Sequence, residues 1–373
     1  MISINYEALV NQLNACGGNF GLLTMQATST TGRLIRVMPE RLKCLFSAEH
    51  GFFGTAAAGE KTASVWHPYW DRPIHSLYGE HRQPTDEMLE GLDRIVIDLC
   101  DIGVRCYTYL ATMKNVLEVC AEKGIAVTVL DRPLPLGGCV DGPMRAPEFA
   151  SFVAPVNVPL CHGMTPGECA TWIKQAEGLD LELDVIRVRG WNHQTREAWI
   201  NFIPPSPAIR SLDSATFYPM TVFTEAYPAV DCDRTGSLAF RVIGAPWMDQ
   251  RGLVQALAPG LASCGVNMRP YRYVPVGGAY AGQSLNGILF TVANPEAFYP
   301  VTAGILVYTA LVQRHGSHLA LGARPEWMDK LYGSTEIRDT LNGGDLGDLF
   351  QSWIDGQDAF LRTRVNLYST TLQ

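Results

Sequence analysis

The chain has 373 residues, of which 47% are hydrophobic and 18% are charged, and its formal net charge is −8. A single hydrophobic core stops growing at roughly 250–300 residues, so we expect two domains. No basic run interrupts the acidic balance. This argues against nucleic acid and anionic membranes as partners and favours a small-molecule ligand.

Targeting and cysteine patterns indicate a cytoplasmic protein. The first residues lack the basic and apolar regions of a signal peptide, and the longest apolar runs, such as 303–308, are too short to span a bilayer. The ten cysteines include no Cys-x-x-Cys pair, and several lie in apolar runs. This pattern predicts reduced core thiols, and neither a zinc ribbon nor a disulfide framework.

Strand and helix patterns alternate through the first half of the chain. Buried strands are predicted at 19–24, 43–46, 76–78, 94–99, 125–130, 157–161 and 183–188. Helices are predicted at 5–15, 30–38 and 108–123, with further helices beginning at Thr85 and Thr165. This alternation predicts an α/β fold with a Rossmann-like, mainly parallel sheet and helices on both faces. No Gly-x-Gly-x-x-Gly joins a strand to a helix, so no dinucleotide or other cofactor is expected.

The proline-rich segment 203–207 is the predicted domain boundary, because stacked prolines make a stiff, non-helical connector. It separates a Rossmann-like catalytic domain at 1–203 from a smaller α+β domain at 204–373 that completes the cleft. In the second domain, strands are predicted at 239–244, 266–275 and 286–292, and helices at 298–313, 326–341 and 344–363.

Polar side chains follow most of the strands predicted in the first domain. They are Gln26, Glu49, His50, Glu60, Asp98, Asp101, Arg105, Tyr107, Asp131, Arg132 and His162. Because the carboxyl ends of parallel strands meet at one edge of a sheet, we expect these residues to line a ligand-binding crevice there. A structural alternative is that Asp98 and Asp131 each cap a following turn.

Glu49 is the strongest candidate for catalysis, because Gly51 frees the backbone after it and His50 lies next to it. Its alternative role is an ion pair with Lys61. Glu60 follows on the same loop, either as the second carboxylate of an acid–base pair or only as the neighbour of Lys61.

Three further patterns suggest roles for their residues. Trp66 and Trp70 present aromatic faces that would stack on a sugar ring or close the domain interface. Arg105 and Arg132 would bind an anionic substituent or serve as counter-ions of the carboxylates. The spacing of Thr165 and Glu168 around Pro166 predicts a helix capping box, which leaves His162 unexplained.

Several motifs occur together and in order along the chain. They are Ser47-x-Glu49-His50-Gly51, Ala58-Gly59-Glu60, Asp98-x-x-Asp101-Ile102-Gly103-x-Arg105-x-Tyr107-Thr108-Tyr109, Asp131-Arg132-Pro133-x-Pro135-x-Gly137-Gly138, Asp141-Gly142-Pro143 and His162-Gly163-Met164-Thr165-x-Gly167-Glu168. In this combination the sequence resembles the NamZ-type exo-β-N-acetylmuramidases, bacterial glycoside hydrolases formerly catalogued as a domain of unknown function. The resemblance implies release of N-acetylmuramic acid from the non-reducing end of peptidoglycan fragments, with neither a nicotinamide nor a metal.

The resemblance also implies roles for the candidate residues. Glycoside hydrolysis needs a proton donor and a second carboxylate, so Glu49 is expected as the acid and Glu60 as its partner, with Asp98 or Asp101 in reserve and His50 beside them. Arg105 or Arg132 is expected to hold the lactyl carboxylate of muramic acid. The remaining residues expected to contact substrate are Gln26, Tyr107, Asp131, His162, Glu225, Trp66 and Trp70.

The sequence departs from the family pattern at three places. Met25 stands where the family has Asn, Ala48 replaces a common Pro, and the segment 223–236 follows its family counterpart only loosely while keeping Glu225 and Arg234. The altered segment motivates a second hypothesis, a non-catalytic protein that binds wall fragments. A third hypothesis is a metal-dependent hydrolase with the ligands Glu49, His50, Asp98 and His162.

Overall fold

A computed structural model describes residues 2–194 and 202–369. Its first half is built on a seven-stranded sheet whose strand order is β3-β4-β2-β1-β5-β6-β7. The strands are β1 Phe20–Leu23, β2 Leu42–Ser47, β3 Val65–His67, β4 Arg72–Ser76, β5 Arg94–Ile97, β6 Ala126–Leu130 and β7 Leu183–Ile186. All neighbouring strands pair in parallel except the edge strand β3, which is antiparallel to β4. The predicted mainly parallel sheet is confirmed.

Helices cover both faces of this sheet. They are α1 Tyr6–Cys16, α2 Thr30–Val37, α3 Asp86–Leu89, α4 Tyr109–Lys123 and α5 Pro166–Ala176. Strand β1 shows the division, because Leu22 packs with α1 and α2 on one face while Leu23 belongs to the core that includes α4 and α5 on the other. Alternate side chains of a strand point to opposite faces, so two apolar layers form around one sheet.

The second half carries a smaller antiparallel sheet with strand order β8-β10-β9. Its elements are α6 Leu212–Thr221, β8 Val242–Ala245, α7 Gln250–Ser263, β9 Val266–Tyr273, β10 Leu285–Val292, α8 Pro300–Leu319, α9 Pro325–Tyr332, α10 Glu336–Leu341 and α11 Leu346–Ser369. The predicted smaller α+β domain is confirmed in its fold class. In the described residues, no helix is long and apolar enough to cross a bilayer.

Several predicted elements differ from the structure. The segment 157–161 is not a strand; its only sheet-like contacts are isolated bridges at Cys161, since Pro159 cannot donate to a ladder. The predicted strand at 76–78 lies earlier, as β4, and β3 occupies a segment where no strand was predicted. The helices α6 and α7 were not predicted, because each contains an internal proline, Pro219 and Pro259.

Buried polar contacts join the two halves. Asp141 accepts hydrogen bonds from the Val301 amide at 2.7 Å, the Thr302 amide at 3.0 Å and the Thr302 hydroxyl at 2.7 Å, and so caps the N-terminus of α8. Helix α11 returns to the first half, where Arg364 donates to the carbonyls of Gly138, His162 and Gly163 at 3.1–3.2 Å.

Arg105 makes the most deeply buried of these contacts, with no exposed surface. Its guanidinium donates to the carbonyls of Pro143 at 3.0 Å and Val158 at 2.5 Å in the first half. It also donates to the carbonyls of Leu331, at 3.4 Å, and Tyr332 in the second half. Burial lowers the pKa of Arg105 to about 10, so it stays charged at neutral pH and serves as a structural link between the halves.

We expect Arg105→Met to destabilise the protein by about 3–5 kcal/mol, because the carbonyls that it satisfies would stay buried without donors. Urea unfolding followed by circular dichroism measures the loss. Arg145→Met is the matched control, because among the described residues Arg145 donates only to the nearby carbonyls of Ala146 and Pro147. Equal unfolding midpoints for Arg105→Met and the intact protein would contradict the structural role.

Candidate active site

Glu49 lies just beyond the carboxyl end of β2 and is only 6% exposed. Its Oε1 accepts a hydrogen bond from the Gly59 amide at 2.6 Å, and its Oε2 accepts one from the Thr108 hydroxyl at 2.5 Å. Gly59 has a φ of +78°, which an L side chain rarely adopts, so glycine is required for this approach. Donors from two separate loops therefore hold the carboxylate in one orientation. The alternative role of Glu49, an ion pair with Lys61, is not seen.

His50 and Glu60 shape the loop that follows Glu49. His50 has a φ of +72°, and its Nδ1 lies 2.9 Å from the carbonyl oxygen of Ala56. Glu60 is exposed, and its Oε2 accepts a hydrogen bond from the Ala57 amide at 2.8 Å, which closes a tight turn. Both residues have local structural contacts, and their expected catalytic roles stay predictions.

Tyr78 lies beside Glu49 at the end of the neighbouring strand β4. The Leu77 amide donates to the Ser47 carbonyl at 2.8 Å, and the Thr62 amide donates to the Tyr78 carbonyl at 2.9 Å, so the Glu49 loop returns against Tyr78. Burial raises the pKa of Tyr78, the negative charge of Glu49 adds to this rise, and the nearby Arg82 opposes it. Tyr78 was not expected as a site residue because its segment was predicted to be a strand.

Asp101 is the second buried carboxyl group at this edge and is 8% exposed. Its Oδ1 accepts a hydrogen bond from the Gly103 amide at 2.7 Å. Burial raises the pKa of Asp101 to about 7, although the amides of Gly103 and Ile102 favour its ionised form. A carboxyl group that keeps its proton near neutral pH has the property that a general acid needs.

Two tyrosines lie at the same edge as these carboxyl groups. The rings of Tyr107 and Tyr109 meet edge to face with centroids 4.8 Å apart, and the Tyr109 hydroxyl donates to the Pro205 carbonyl at 2.5 Å. The pKa of Tyr109 is raised, mainly by burial, and the charges of Glu49 and Asp101 both contribute to the rise. Tyr109 is therefore within electrostatic range of both carboxyl groups.

The second half of the chain also reaches this edge. The Tyr107 ring lies 6.2 Å from the ring of Tyr218, and the Tyr218 hydroxyl lies 3.7 Å from the Cys106 thiol. Burial raises the pKa of Cys106, and the charge of Glu225 adds to this effect, so Glu225 also lies near the cluster. Glu225 forms an ion pair with Arg234. Both residues belong to the divergent segment 223–236.

Asp98 and Arg132 form a separate buried ion pair. The Arg132 guanidinium donates to both oxygens of Asp98, and Thr30 donates its hydroxyl to one of them. Arg132 also donates to the Tyr6 hydroxyl at 3.3 Å. Asp98 has no exposed surface and Arg132 only 3%, so the geometry favours the interpretation of Arg132 as a counter-ion.

Asp131 and His162 are also buried away from solvent. Asp131 accepts hydrogen bonds from the Gly167 amide at 2.8 Å, the Thr165 hydroxyl at 2.9 Å and the Arg132 amide at 3.0 Å, which joins β6 to the start of α5. His162 accepts from the Met164 amide at 3.2 Å, and burial lowers its pKa to about 3, so it is neutral.

Two other predicted features have clear outcomes. The capping box is confirmed, since the Thr165 hydroxyl accepts from the Glu168 amide at 3.3 Å and Glu168 accepts from the Thr165 amide at 2.9 Å. Trp66 is 59% exposed, with its indole N–H donating to Asp71 at 2.8 Å, so it does not close a domain interface.

Gln26 and Trp70 line a neighbouring groove of about 480 Å³. The other lining residues are Ser29, Gly32, Arg33 and Arg36. Trp70 stacks on His67 at 4.3 Å and contacts Phe52 edge to face at 6.3 Å. Phe52 belongs to the Glu49 loop, so the groove lies behind that loop.

The structure does not bring Glu49, His50, Asp98 and His162 together as metal ligands. Within the described ranges, the one group of three ligand atoms close enough to share an ion is formed by Cys16, Glu182 and Asp184, at a different part of the surface. The metal-dependent hypothesis therefore loses the ligand set on which it was based.

This fold is shared with α/β proteins of solved structure. A DUF1343 family protein from Bacteroides fragilis matches with a TM-score of 0.88 and 27% identity, over 99% of this chain and 98% of that one. A second DUF1343 family protein from the same organism has the same fold, with a TM-score of 0.77 and 23% identity over 98% of each chain.

Family models then give a narrower assignment. The N-terminal model of the exo-β-N-acetylmuramidase NamZ matches residues 19–213, and the C-terminal model matches residues 216–368. The chain belongs to this NamZ family. It is also 33% identical, over 331 residues, to the peptidoglycan β-N-acetylmuramidase NamZ of Bacillus subtilis, a match that covers 87% of this chain and 78% of that protein. The expected domain boundary at 203–204 stays a prediction.

The raised pKa of Asp131 predicts a pH dependence of stability. Between about pH 4 and pH 7 the folded state keeps the Asp131 proton whereas the unfolded state has lost it, so this contribution to the unfolding free energy falls as pH rises. It falls by at most about 1.4 kcal/mol per pH unit. We expect Asp131→Asn to flatten the slope of unfolding free energy between pH 4 and pH 7, as measured by urea unfolding. The exposed Asp358→Asn is the control, and an unchanged slope in Asp131→Asn would contradict the assignment.

Proposed function

We propose that this protein is an exo-acting glycoside hydrolase that releases N-acetylmuramic acid from the non-reducing end of peptidoglycan fragments. The family membership supports the reaction class, and the name of the Bacillus subtilis relative supports the substrate. The observation that carries the proposal is the pair of buried carboxyl groups, Glu49 and Asp101, which both lie within electrostatic range of Tyr109. A cytoplasmic location stays a prediction.

The two carboxyl groups suit the two roles that glycoside hydrolysis requires. Asp101, with its raised pKa, is the proposed proton donor to the leaving oxygen. Glu49, which accepts two hydrogen bonds, is the proposed carboxylate that acts as base or nucleophile and stabilises the positive charge developing on the sugar. In this assignment Asp101 takes the acid role that was expected for Glu49. Asp101 also replaces Glu60 as the second carboxyl group.

Glu49→Gln is expected to lower kcat by at least about 100-fold, because it removes the charge that faces the transition state. Release of the chromophore from an aryl N-acetylmuraminide measures the rate. Glu122→Gln, at an exposed position on α4, is the control. Activity of Glu49→Gln within a few-fold of the intact protein would remove Glu49 from the mechanism.

Asp101→Asn tests the proton donor through the pH profile. With a pKa of about 7, Asp101 loses its proton as pH rises, so kcat/KM should fall above pH 7 in the intact protein. For a substrate whose leaving group is not activated, Asp101→Asn should lower kcat/KM by about 100-fold. The variant should also lack the decline of kcat/KM above pH 7.

Glu60→Gln decides between Asp101 and Glu60 as the partner of Glu49. If Glu60 is the partner expected from the resemblance, Glu60→Gln loses activity as strongly as Glu49→Gln. If Asp101 is the donor, only Asp101→Asn alters the alkaline limb of the pH profile.

The second candidate function is a non-catalytic protein that binds wall fragments, and the divergent segment 223–236 still motivates it. In that segment Glu225 and Arg234 pair with each other. Calorimetry with the disaccharide of N-acetylmuramic acid and N-acetylglucosamine separates the two functions. Tight binding without any release of N-acetylmuramic acid would favour the binding protein.

A further inference from the structure

The carboxylate of the lactyl group distinguishes muramic acid from glucosamine, so a site that selects muramic acid benefits from a positively charged group nearby. Three arginines close to the candidate site have other partners. Arg105 donates to four backbone carbonyls, Arg132 is paired with Asp98, and Arg234 is paired with Glu225. The cations expected from sequence to bind this group, Arg105 and Arg132, are both engaged within the fold.

Arg82 differs from these three arginines. Its guanidinium lies over the ring of Tyr78 at 3.7 Å and over the ring of Phe152 at 4.5 Å. Among the described residues the structure records no ion pair for it, and its buried Nη1 has no hydrogen-bond partner. Two aromatic rings therefore hold a charged, planar donor in place without neutralising it.

The position of Arg82 places this cation next to the proposed catalytic carboxylate. Ser47 of β2 pairs with Ser76 of β4, so Glu49 and Tyr78 each lie two residues beyond paired positions on adjacent strands. Tyr78 then contacts Arg82 through its ring, and the Arg82 carbonyl accepts a hydrogen bond from Asn115 of α4 at 2.8 Å. One tyrosine thus separates the carboxylate of Glu49 from the guanidinium of Arg82.

We propose that Arg82 is a specificity-determining residue that binds the lactyl carboxylate of the muramic acid unit. This proposal rests on the proposed function and identifies the group by which that site selects its substrate. The Tyr78 and Phe152 rings also contact each other, with centroids 5.7 Å apart, so they do not enclose the guanidinium from opposite faces. Its remaining N–H groups are the donors left for a carboxylate, which accepts them in a bidentate arrangement. A sugar without the lactyl group would leave this charge unpaired and would bind less tightly.

Arg82→Met tests the proposal with two substrates, one with a charged and one with a neutral lactyl group. They are an aryl N-acetylmuraminide with a free lactyl carboxylate and the same compound as its lactyl methyl ester. We expect Arg82→Met to lower kcat/KM for the acid by about 30-fold, mainly through KM, because a charge-assisted hydrogen bond is lost. For the ester we expect a change of less than about threefold, so that the preference for the acid disappears.

Two further variants control for charge and packing. Arg82→Lys keeps the charge but not the bidentate geometry and should retain part of the preference for the acid. Arg251→Met removes an exposed positive charge from α7 and should leave both substrates unaffected. If Arg82→Met does not fold, as judged by its circular dichroism spectrum, Arg82→Lys and Arg82→Gln carry the comparison.

Equal losses for the acid and the ester in Arg82→Met, or an unchanged preference for the acid, would overturn the role of Arg82. Failure of the intact protein to cleave either substrate would instead reject the proposed hydrolase activity. In that case calorimetry with free N-acetylmuramic acid and N-acetylglucosamine still decides the matter. Preferential binding of N-acetylmuramic acid that Arg82→Met abolishes supports the role, and binding that the variant leaves unchanged rejects it.

Discussion

The buried ion pair between Asp98 and Arg132 determines which part of the sheet edge is open to a ligand. In doubly wound sheets, ligands usually bind where the strand order reverses, which here lies between β1 and β5. Asp98 follows β5 directly, and its carboxylate is enclosed by Arg132 and Thr30, with Tyr6 hydrogen-bonded to Arg132. Unpaired, either charge would be costly at this depth, so the pair and the hydroxyl groups of Thr30 and Tyr6 occupy this position as one unit.

Because the Asp98–Arg132 pair occupies the position where the strand order reverses, the polar groups available to a ligand lie nearer β2 and β4. There the Glu49 carboxylate is oriented by Gly59 from its own loop and by Thr108 from the loop after β5. The second half of the chain is held against this edge by buried polar contacts of Arg105 and Asp141, because each satisfies backbone groups in both halves. A site whose walls come from both halves needs such rigid contacts, since a displacement of about 1 Å is enough to impair catalysis.

Sequence patterns predicted the sheet, the alternation of helices and the edge at which Glu49 lies, because burial periodicity is a local property. They did not distinguish the aspartates that follow the strands. Asp98, Asp101 and Asp131 all appear as an acid after a buried run, yet one is ion-paired, one accepts from the next turn and one joins α5 to β6. Their partners include Thr30 and Gly167, far away in sequence, and no local pattern encodes these contacts. The role proposed for Arg82 was likewise not predicted, since its contact with Phe152 joins two distant parts of the sequence.

The distribution of charge resolves an apparent conflict between an acidic protein and the acidic sugar proposed as its substrate. The net charge of −8 is that of the whole chain, whereas several buried carboxyl groups near the sheet edge are paired or keep a proton. Asp98 and Glu225 are each paired with an arginine, and burial raises the pKa values of Asp101 and Asp131 to about 7. The local charge next to Tyr78 is then set by Glu49 and Arg82 alone among these groups. Because charges at short range in a buried site outweigh screened charges on a distant surface, a negatively charged sugar can approach this edge of an acidic protein.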